Sequence, residues 1–402
     1  MKIVKKVILI TVAVVFLGMP FKTHARQNGG GAIQFGETIA ADLASGETDT
    51  WTFTGRIGQM VTISMERFPA DQADTIDPYI ELYGPDGVLI ASDDDSGPGQ
   101  DALILGATLP IDGIYSIQLH SFDNVSPGIY QIALAENVLP KGCTSLQGTM
   151  VKVDPWYSAI ARENLRYRVY LPPCYQSSAV KYPYVLLMHG SNTDDSHFDR
   201  LEMDEAITRD VALGRLPPLA LVLPFGGEMA NTNVFYIDGS YEYVILNELM
   251  PLVESTYCLQ DTRDGRAIGG ISRGGFWAYI IGFRHPELFT AIGGHSPYFD
   301  LYNAPDTHNP LALALTVEWP PDAPRLYIDR GKDDYAQVNI ELFVGRLTEH
   351  GIPFTYVLHP TGEHRDEYWG AHVEEYLMFY AQTWDASTYP PCDLPNGGLI
   401  SQ

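Results

Sequence analysis

Residues 266–279 read as a short apolar strand, a glycine-dense corner and the opening of a helix. Within them, Gly270-Ile271-Ser272-Arg273-Gly274 fits G-x-S-x-G, the pattern that holds a serine on a sharp strand-to-helix turn. A Cβ at either flanking position would clash in so tight a corner. Ser272 is the candidate nucleophile, and the following helix aims N–H groups and its positive dipole end toward charge developing there. A serine hydroxyl is a weak nucleophile near neutral pH. It needs a histidine to take its proton, and a carboxylate to fix the tautomer of that histidine and stabilise the imidazolium. Two loops offer such groups: Arg330-Gly331-Lys332-Asp333-Asp334 and Pro360-Thr361-Gly362-Glu363-His364. Taken alone, G-x-S-x-G also describes an ordinary glycine-rich turn, so the surrounding elements decide.

Over residues 141–402, strand-like runs alternate with helical ones, which predicts an α/β fold with a mostly parallel sheet covered by helices on both faces. The strand-like runs are 167–171, 184–188, 219–223, 267–271, 291–293, 325–328 and 354–358, and the helical runs are 241–257, 274–285, 336–350 and 367–384. In such sheets chemistry collects at the carboxyl ends of strands, where the serine, the aspartates and His364 all fall. The run 184–188 leads into His189-Gly190-Ser191-Asn192, a turn of the kind that supplies one backbone N–H to an oxyanion hole. The N–H groups of Ser191 and Arg273 are therefore the expected pair. The chain order Ser, Asp, His is that of α/β-hydrolases. His295, at a strand end, either borders the site or packs beneath it, while His350, His359 and His372 read as structural or surface residues.

Residues 30–140 look different. Short β-type runs are punctuated by Gly84-Pro85-Asp86-Gly87, Ser96-Gly97-Pro98-Gly99 and Pro110-Ile111-Asp112-Gly113, which predicts an antiparallel β-sandwich. Seventeen acidic residues face two basic ones in this segment. The whole chain of 402 residues carries a net charge of −25, which argues against nucleic acid and anionic membrane surfaces as partners. At the N-terminus, Lys2, Lys5 and Lys6, an apolar run over 7–19 and Thr23-His24-Ala25 have the layout of a secretory leader over residues 1–25. No later run reaches membrane length, so a secreted, extracellular protein without stable membrane insertion is expected. Export also makes disulfides the expected state of Cys143, Cys174, Cys258 and Cys392, whose scatter is unlike the close pairs of a zinc site. Every site candidate follows residue 141, so a chain starting near Lys141 is expected to keep the site whole.

In sequence order, His189-Gly190, Phe235-Tyr236-Ile237-Asp238, Glu248-Leu249-Met250-Pro251, Gly270-Ile271-Ser272-Arg273-Gly274-Gly275, His285-Pro286-Glu287-Leu288-Phe289, Gly331-Lys332-Asp333-Asp334 and Gly362-Glu363-His364 resemble the esterase D type of α/β-hydrolase. That group includes feruloyl and acetylxylan esterases, S-formylglutathione hydrolase, siderophore esterases and mycolyltransferases. The resemblance implies Ser272 as nucleophile, His364 as base, and Asp334 as the acid of G-x-x-D, with adjacent Asp333 the competing choice. It implies no cofactor and no catalytic metal, and a small-molecule or polymer-linked ester as substrate. Specificity is expected to lie in 225–238 and the lid-like 298–322. In this fold the second strand usually runs antiparallel, which places Cys174 and Cys258 at the edge away from the site and favours the pairs Cys174–Cys258 and Cys143–Cys392. The segment 30–140 resembles the bacterial pre-peptidase C-terminal type of sandwich. Some relatives of that module bind calcium, for which Asp74, Asp77, Asp93, Asp94, Asp95 and Asp101 offer oxygen ligands, but no EF-hand-like spacing is present and solvated acidic loops are the favoured account. The reading that follows is a secreted serine esterase, with a mycolyltransferase-like acyltransferase and a non-catalytic binding protein as alternatives.

Overall fold

The computed structural model describes residues 27–69, 76–236 and 239–394, so the leader, Asp74 and Asp238 lie outside the described residues. The first half forms two five-stranded sheets. One contains Glu37–Leu43, Gly128–Asn137, Met60–Arg67 and Ala102–Thr108, and the other Asp49–Gly55, Gly113–Ser121, Pro78–Tyr83 and Leu89–Asp93. Alternation drives the packing. In Asp49–Gly55, Trp51 and Phe53 point inward while Thr50 and Thr54 face solvent, and the inner faces share one core with Tyr115, Ile117, Tyr130 and Ile132. Burial and the nearby charges of Asp95, Asp123 and Asp94 hold the Asp77 carboxyl above its ordinary range. Asp93 accepts the backbone N–H groups of Ser96 and Leu103 at 3.1 and 2.7 Å, and Asp101 turns toward Arg67. Among the described residues none of these aspartates falls in a group of three or more metal-competent side chains.

The second half is built on an eight-stranded sheet: β1 (Thr149–Lys152), β2 (Tyr167–Leu171), β3 (Tyr184–Met188), β4 (Ala220–Pro224), β5 (Arg266–Ile271), β6 (Ala291–His295), β7 (Arg325–Gly331) and β8 (Thr355–His359). Its spatial order is β1-β2-β4-β3-β5-β6-β7-β8, and only β2 runs against its neighbours β1 and β4. The central strands are apolar throughout because both faces are covered. Thus Tyr184, Leu186 and Met188 of β3 join the core that contains helix α2 (Arg273–Arg284). Val185 and Leu187 join the opposite core with α1 (Met203–Ala212) and α5 (Val373–Ala381). A helix α3 (Gln337–His350) follows β7. The single helix expected over 367–384 is divided into α4 (Asp366–Ala371) and α5, because His372 between them leaves helical geometry at φ −118° and ψ 8°.

The disulfides differ from the expected pairs: Cys143 joins Cys174, and Cys258 joins Cys392. The hydroxyl of Tyr175, next to Cys174, accepts the Cys258 N–H at 2.7 Å, yet each of these cysteines is bonded to another partner. Antiparallel pairing sets Thr149 opposite Leu171, which brings the chain before β1 back to the end of β2 and Cys143 to Cys174. The C-terminal segment bridges Val180 at Pro391, while Tyr182 bridges Leu259, so Cys392 arrives beside Cys258. Peptide mapping is expected to recover these two links. Loss of the second should destabilise more than loss of the first, roughly 5 against 4 kcal/mol on chain-entropy grounds, because they span 134 and 31 residues.

The two halves meet through buried charge. Glu66 of the sandwich receives Arg215 Nη2 and Nη1 at 2.7 and 2.9 Å and lies 3.3 Å from Arg209 Nη1. Asp101 Oδ2 is 3.6 Å from Arg209, and Asp210 and Glu374 complete the cluster. Asn137 adds a hydrogen bond to the Ala212 carbonyl at 2.6 Å.

Candidate active site

Ser272 sits between β5 and α2 at φ 54° and ψ −115°, a conformation that an L-residue holds only under constraint. The constraint is visible on both sides. A Cβ on Gly270 would lie 2.4 Å from the Gly274 carbonyl carbon, and one on Gly274 would lie 1.8 Å from the Met188 carbonyl oxygen. The Ser272 N–H donates to the His295 carbonyl at 3.0 Å, and the Ser272 carbonyl accepts from Tyr298 and Phe276 at 2.9 and 3.1 Å. The serine is thus held at the tip of the corner with 8% of its surface exposed.

His364 descends from the loop after β8 and places Nε2 2.9 Å from Ser272 Oγ. Its Nδ1 faces both oxygens of Asp334, at 3.0 and 3.1 Å. Asp334 is fully buried and also accepts the Ala336 N–H at 2.7 Å. Burial opposes its charge, but the hydrogen bond and charge of His364 outweigh that and hold the carboxyl below its ordinary range. Asp333 is exposed to solvent and turned away from this contact. Asp329 stays with the core: it accepts from Tyr368 and Tyr376 at 2.6 and 3.1 Å and pairs with His295 Nδ1 at 3.0 Å. His295 is fully buried, stacked on Tyr376, and contributes its backbone carbonyl to the serine corner.

The turn after β3 is fixed by His189. Its Nε2 accepts the Gly226 N–H at 3.0 Å, so Nδ1 carries the proton and donates to the Gly190 carbonyl at 2.7 Å. Burial keeps this imidazole's proton affinity low, in line with a neutral ring. Thr193 also donates to the Gly190 carbonyl, at 3.0 Å. Across a trans peptide the Ser191 N–H must point opposite to that carbonyl. Gly190 itself lies against Ser272, since a Cβ there would stand 3.6 Å from Ser272 Cβ.

Two features were missed in the sequence. The first is the side chain of Arg273, singled out only for its backbone. It is buried and, among the described residues, has no carboxylate partner; its guanidinium is 4.3 Å from the Phe276 ring centre, and it donates to the carbonyls of Ala230 and Thr232 at 2.9 and 3.1 Å and to Asn233 Oδ1 at 2.7 Å. Burial lowers its pKa to about 10, still charged at neutral pH. It clamps the segment whose Asn231 reaches the Ser191 carbonyl at 3.1 Å. Arg273→Met is expected to leave the fold intact and to lower kcat/KM by up to about a hundredfold, because displacing a positioning segment by an ångström costs that much; kinetics beside circular dichroism check it. The second is Tyr335, exposed, with its ring 4.3 Å from that of His364. Only its place after Asp334 marked it. A cleft of about 550 Å³ adjoins the oxyanion-type turn, lined by Thr193, Phe225, Asn231 and Thr232 with the carboxylates of Glu163 and Glu228.

Residues 158–387 match the family described as "Putative esterase". An esterase of Mycobacterium tuberculosis is 30% identical over 132 residues, 32% of this chain and 28% of that protein. An endo-1,4-beta-xylanase/feruloyl esterase of Xylanibacter ruminicola is 28% identical over 156 residues, 35% of this chain and 20% of that one, so the matches span less than a third of either relative's length. A solved ferulic acid esterase superposes with a TM-score of 0.54 at 23% identity, covering 60% of this chain and 99% of its own, a likeness of fold. With its α/β-hydrolase sheet and more than half its length matched, the chain belongs to this esterase family.

Proposed function

We propose that the protein is a secreted serine esterase that cleaves carboxylic esters through Ser272, His364 and Asp334. The observation that carries the reading is the unbroken hydrogen-bond relay from Asp334 through His364 to Ser272 Oγ, set at the carboxyl ends of β5, β7 and β8. Ser272 Oγ attacks the ester carbonyl as His364 Nε2 takes its proton. The charge that develops on the carbonyl oxygen meets the N–H groups of Arg273, at the start of α2, and Ser191. His364 then returns the proton to the departing alcohol, leaving an acyl-serine. In the second half His364 deprotonates a water, which attacks the acyl carbon, and the proton goes back to Ser272 as the acid leaves. Asp334 keeps the imidazole in the right tautomer and balances its charge in both halves. The two disulfides and the N-terminal pattern support export. The name of the Xylanibacter relative makes feruloyl esters of plant polymers the first substrates to try.

The test is a panel of acetyl, aryl and feruloyl esters with products identified by mass spectrometry, with and without added alcohols. Release of free acid is expected. Acyl transfer to the alcohol at the expense of water would make the protein a transferase, and cleavage of no ester by the wild-type chain would end the reading.

A further inference from the structure

Between the strand that leads to His364 and the helices that follow it stands a second group of side chains that the proposed chemistry does not use. His359 is the last residue of β8, His372 occupies the break between α4 and α5, and Glu375 lies in the first turn of α5. Among the described residues this is the one set of three His, Cys, Asp or Glu side chains placed to share an ion, with donor atoms within 4.8 Å of one another. The two imidazole rings lie 3.6 Å apart at their centres. Glu375 Oε2 is 3.3 Å from His359 Nε2 and 3.8 Å from His372 Nδ1. The other carboxylate oxygen, Oε1, accepts the Tyr327 hydroxyl at 2.7 Å, which orients the carboxylate with Oε2 toward the histidines. The two rings meet at an interplanar angle of 31° beside the break between α4 and α5.

We propose that His359, His372 and Glu375 bind a zinc-type divalent ion, as a two-histidine, one-carboxylate set whose remaining position is open to water. Imidazole donors select a borderline transition ion over magnesium or calcium. Zinc–ligand bonds of about 2.0–2.1 Å require the donors to draw in slightly from their present spacing, and Glu375, with 35% of its side chain exposed, has room to do so. The ion would close the loop of residues 360–371 at its base. Tyr368 links that base to the reaction centre: its ring is 5.6 Å from His359 and 4.7 Å from His372, and its Cδ2 would stand 2.3 Å from a Cβ on Gly362, two residues before His364. The ion is therefore a positioning element for His364 and touches neither substrate nor Ser272.

The test uses the full chain, stripped with chelator and titrated with Zn²⁺, with Mg²⁺ and Ca²⁺ as controls. One equivalent of Zn²⁺ is expected, with a raised thermal midpoint, and neither effect with the controls. Co²⁺ in its place should show the intense visible bands of a site with nitrogen ligands. The double variant His359→Ala/His372→Ala, and separately Glu375→Gln, should lose the equivalent and the Co²⁺ bands while keeping the wild-type circular dichroism. A Co²⁺ spectrum of the wild-type chain that stays that of the hydrated ion would overturn the proposal, as would Zn²⁺ uptake equal in wild type and a folded variant. The Co²⁺ readout on the wild type stands even if a variant fails to fold, and none of these measurements depends on ester cleavage.

Discussion

Ser272→Ala is expected to lose ester cleavage by on the order of a millionfold in kcat while the fold survives, because the change removes the nucleophile and almost no core volume. His364→Ala should cost about as much, since the remaining groups do not act without a base. Asp334→Asn should cost less, on the order of ten-thousandfold, because it leaves an imidazole in place with its tautomer mis-set. The geometry sharpens the comparison between neighbouring acids. Asp334 is buried against His364 Nδ1, whereas Asp333 faces solvent, so Asp333→Asn should leave kcat within a few-fold of wild type. Turnover of an activated aryl ester by the four purified variants decides the matter. A Ser272→Ala protein that still cleaves at the wild-type rate removes the serine mechanism, and an Asp333→Asn protein worse than Asp334→Asn removes the assignment of the acid.

The second large effect concerns stability. Arg215→Met is expected to lower the unfolding free energy by roughly 3–5 kcal/mol, the scale for breaking a buried ion pair by removing one partner. Glu66, now short of one of its two guanidiniums, would stay buried beside Arg209 and Asp101. Denaturant melts of wild type and variant measure it, and a change below about 1 kcal/mol would show the cluster to be energetically idle. The same cluster changes the outlook for a chain starting near Lys141. Such a chain keeps every residue of the candidate site but strips Glu66 and Asp101 from Arg209 and Arg215, so aggregation or a large loss of stability is expected in place of clean retention of activity. The cluster also sets a pH dependence. Burial and the neighbouring Glu66 push Asp101 up to about 6, so its contribution to stability is full below its unfolded pKa of about 4 and is lost as pH rises toward 6. Glu66 runs the other way. Burial opposes its charge, but Arg209 and Arg215 hold its carboxyl well below the ordinary range, so its contribution is present above about 4 and is lost as pH falls. A stability maximum in mildly acid solution follows, and Asp101→Asn should flatten the limb between about pH 4 and 6 in a series of thermal melts.

How much of this was legible in the chain depends on how local each feature is. The serine corner is a matter of a few consecutive residues: an apolar strand, two glycines whose Cβ positions are already filled by backbone, and a helix that starts at once. The buried parallel strands announce themselves as short apolar runs because both faces are covered, and residues just past their ends are candidates for the site by that fact alone. Strands lacking such a run were not visible. Glu37–Leu43, with its two alanines and acidic residues, and Thr149–Lys152, at the sheet edge, are strands because of the neighbours they pair with. The disulfide partners, the burial of His295 and the clamp made by Arg273 likewise depend on which distant segments come to rest side by side. Cys258 and Cys392 are 134 residues apart, and nothing in either one's vicinity encodes the other. The same holds for the meeting of Glu66 with Arg215 and of His359 with His372 and Glu375. Sequence periodicity reports which face of an element is buried and so marked the sheet, while short local motifs marked the serine corner and the order of the candidate site residues. Which side chains share a buried space is a property of the packed chain, and only the tertiary structure decided it.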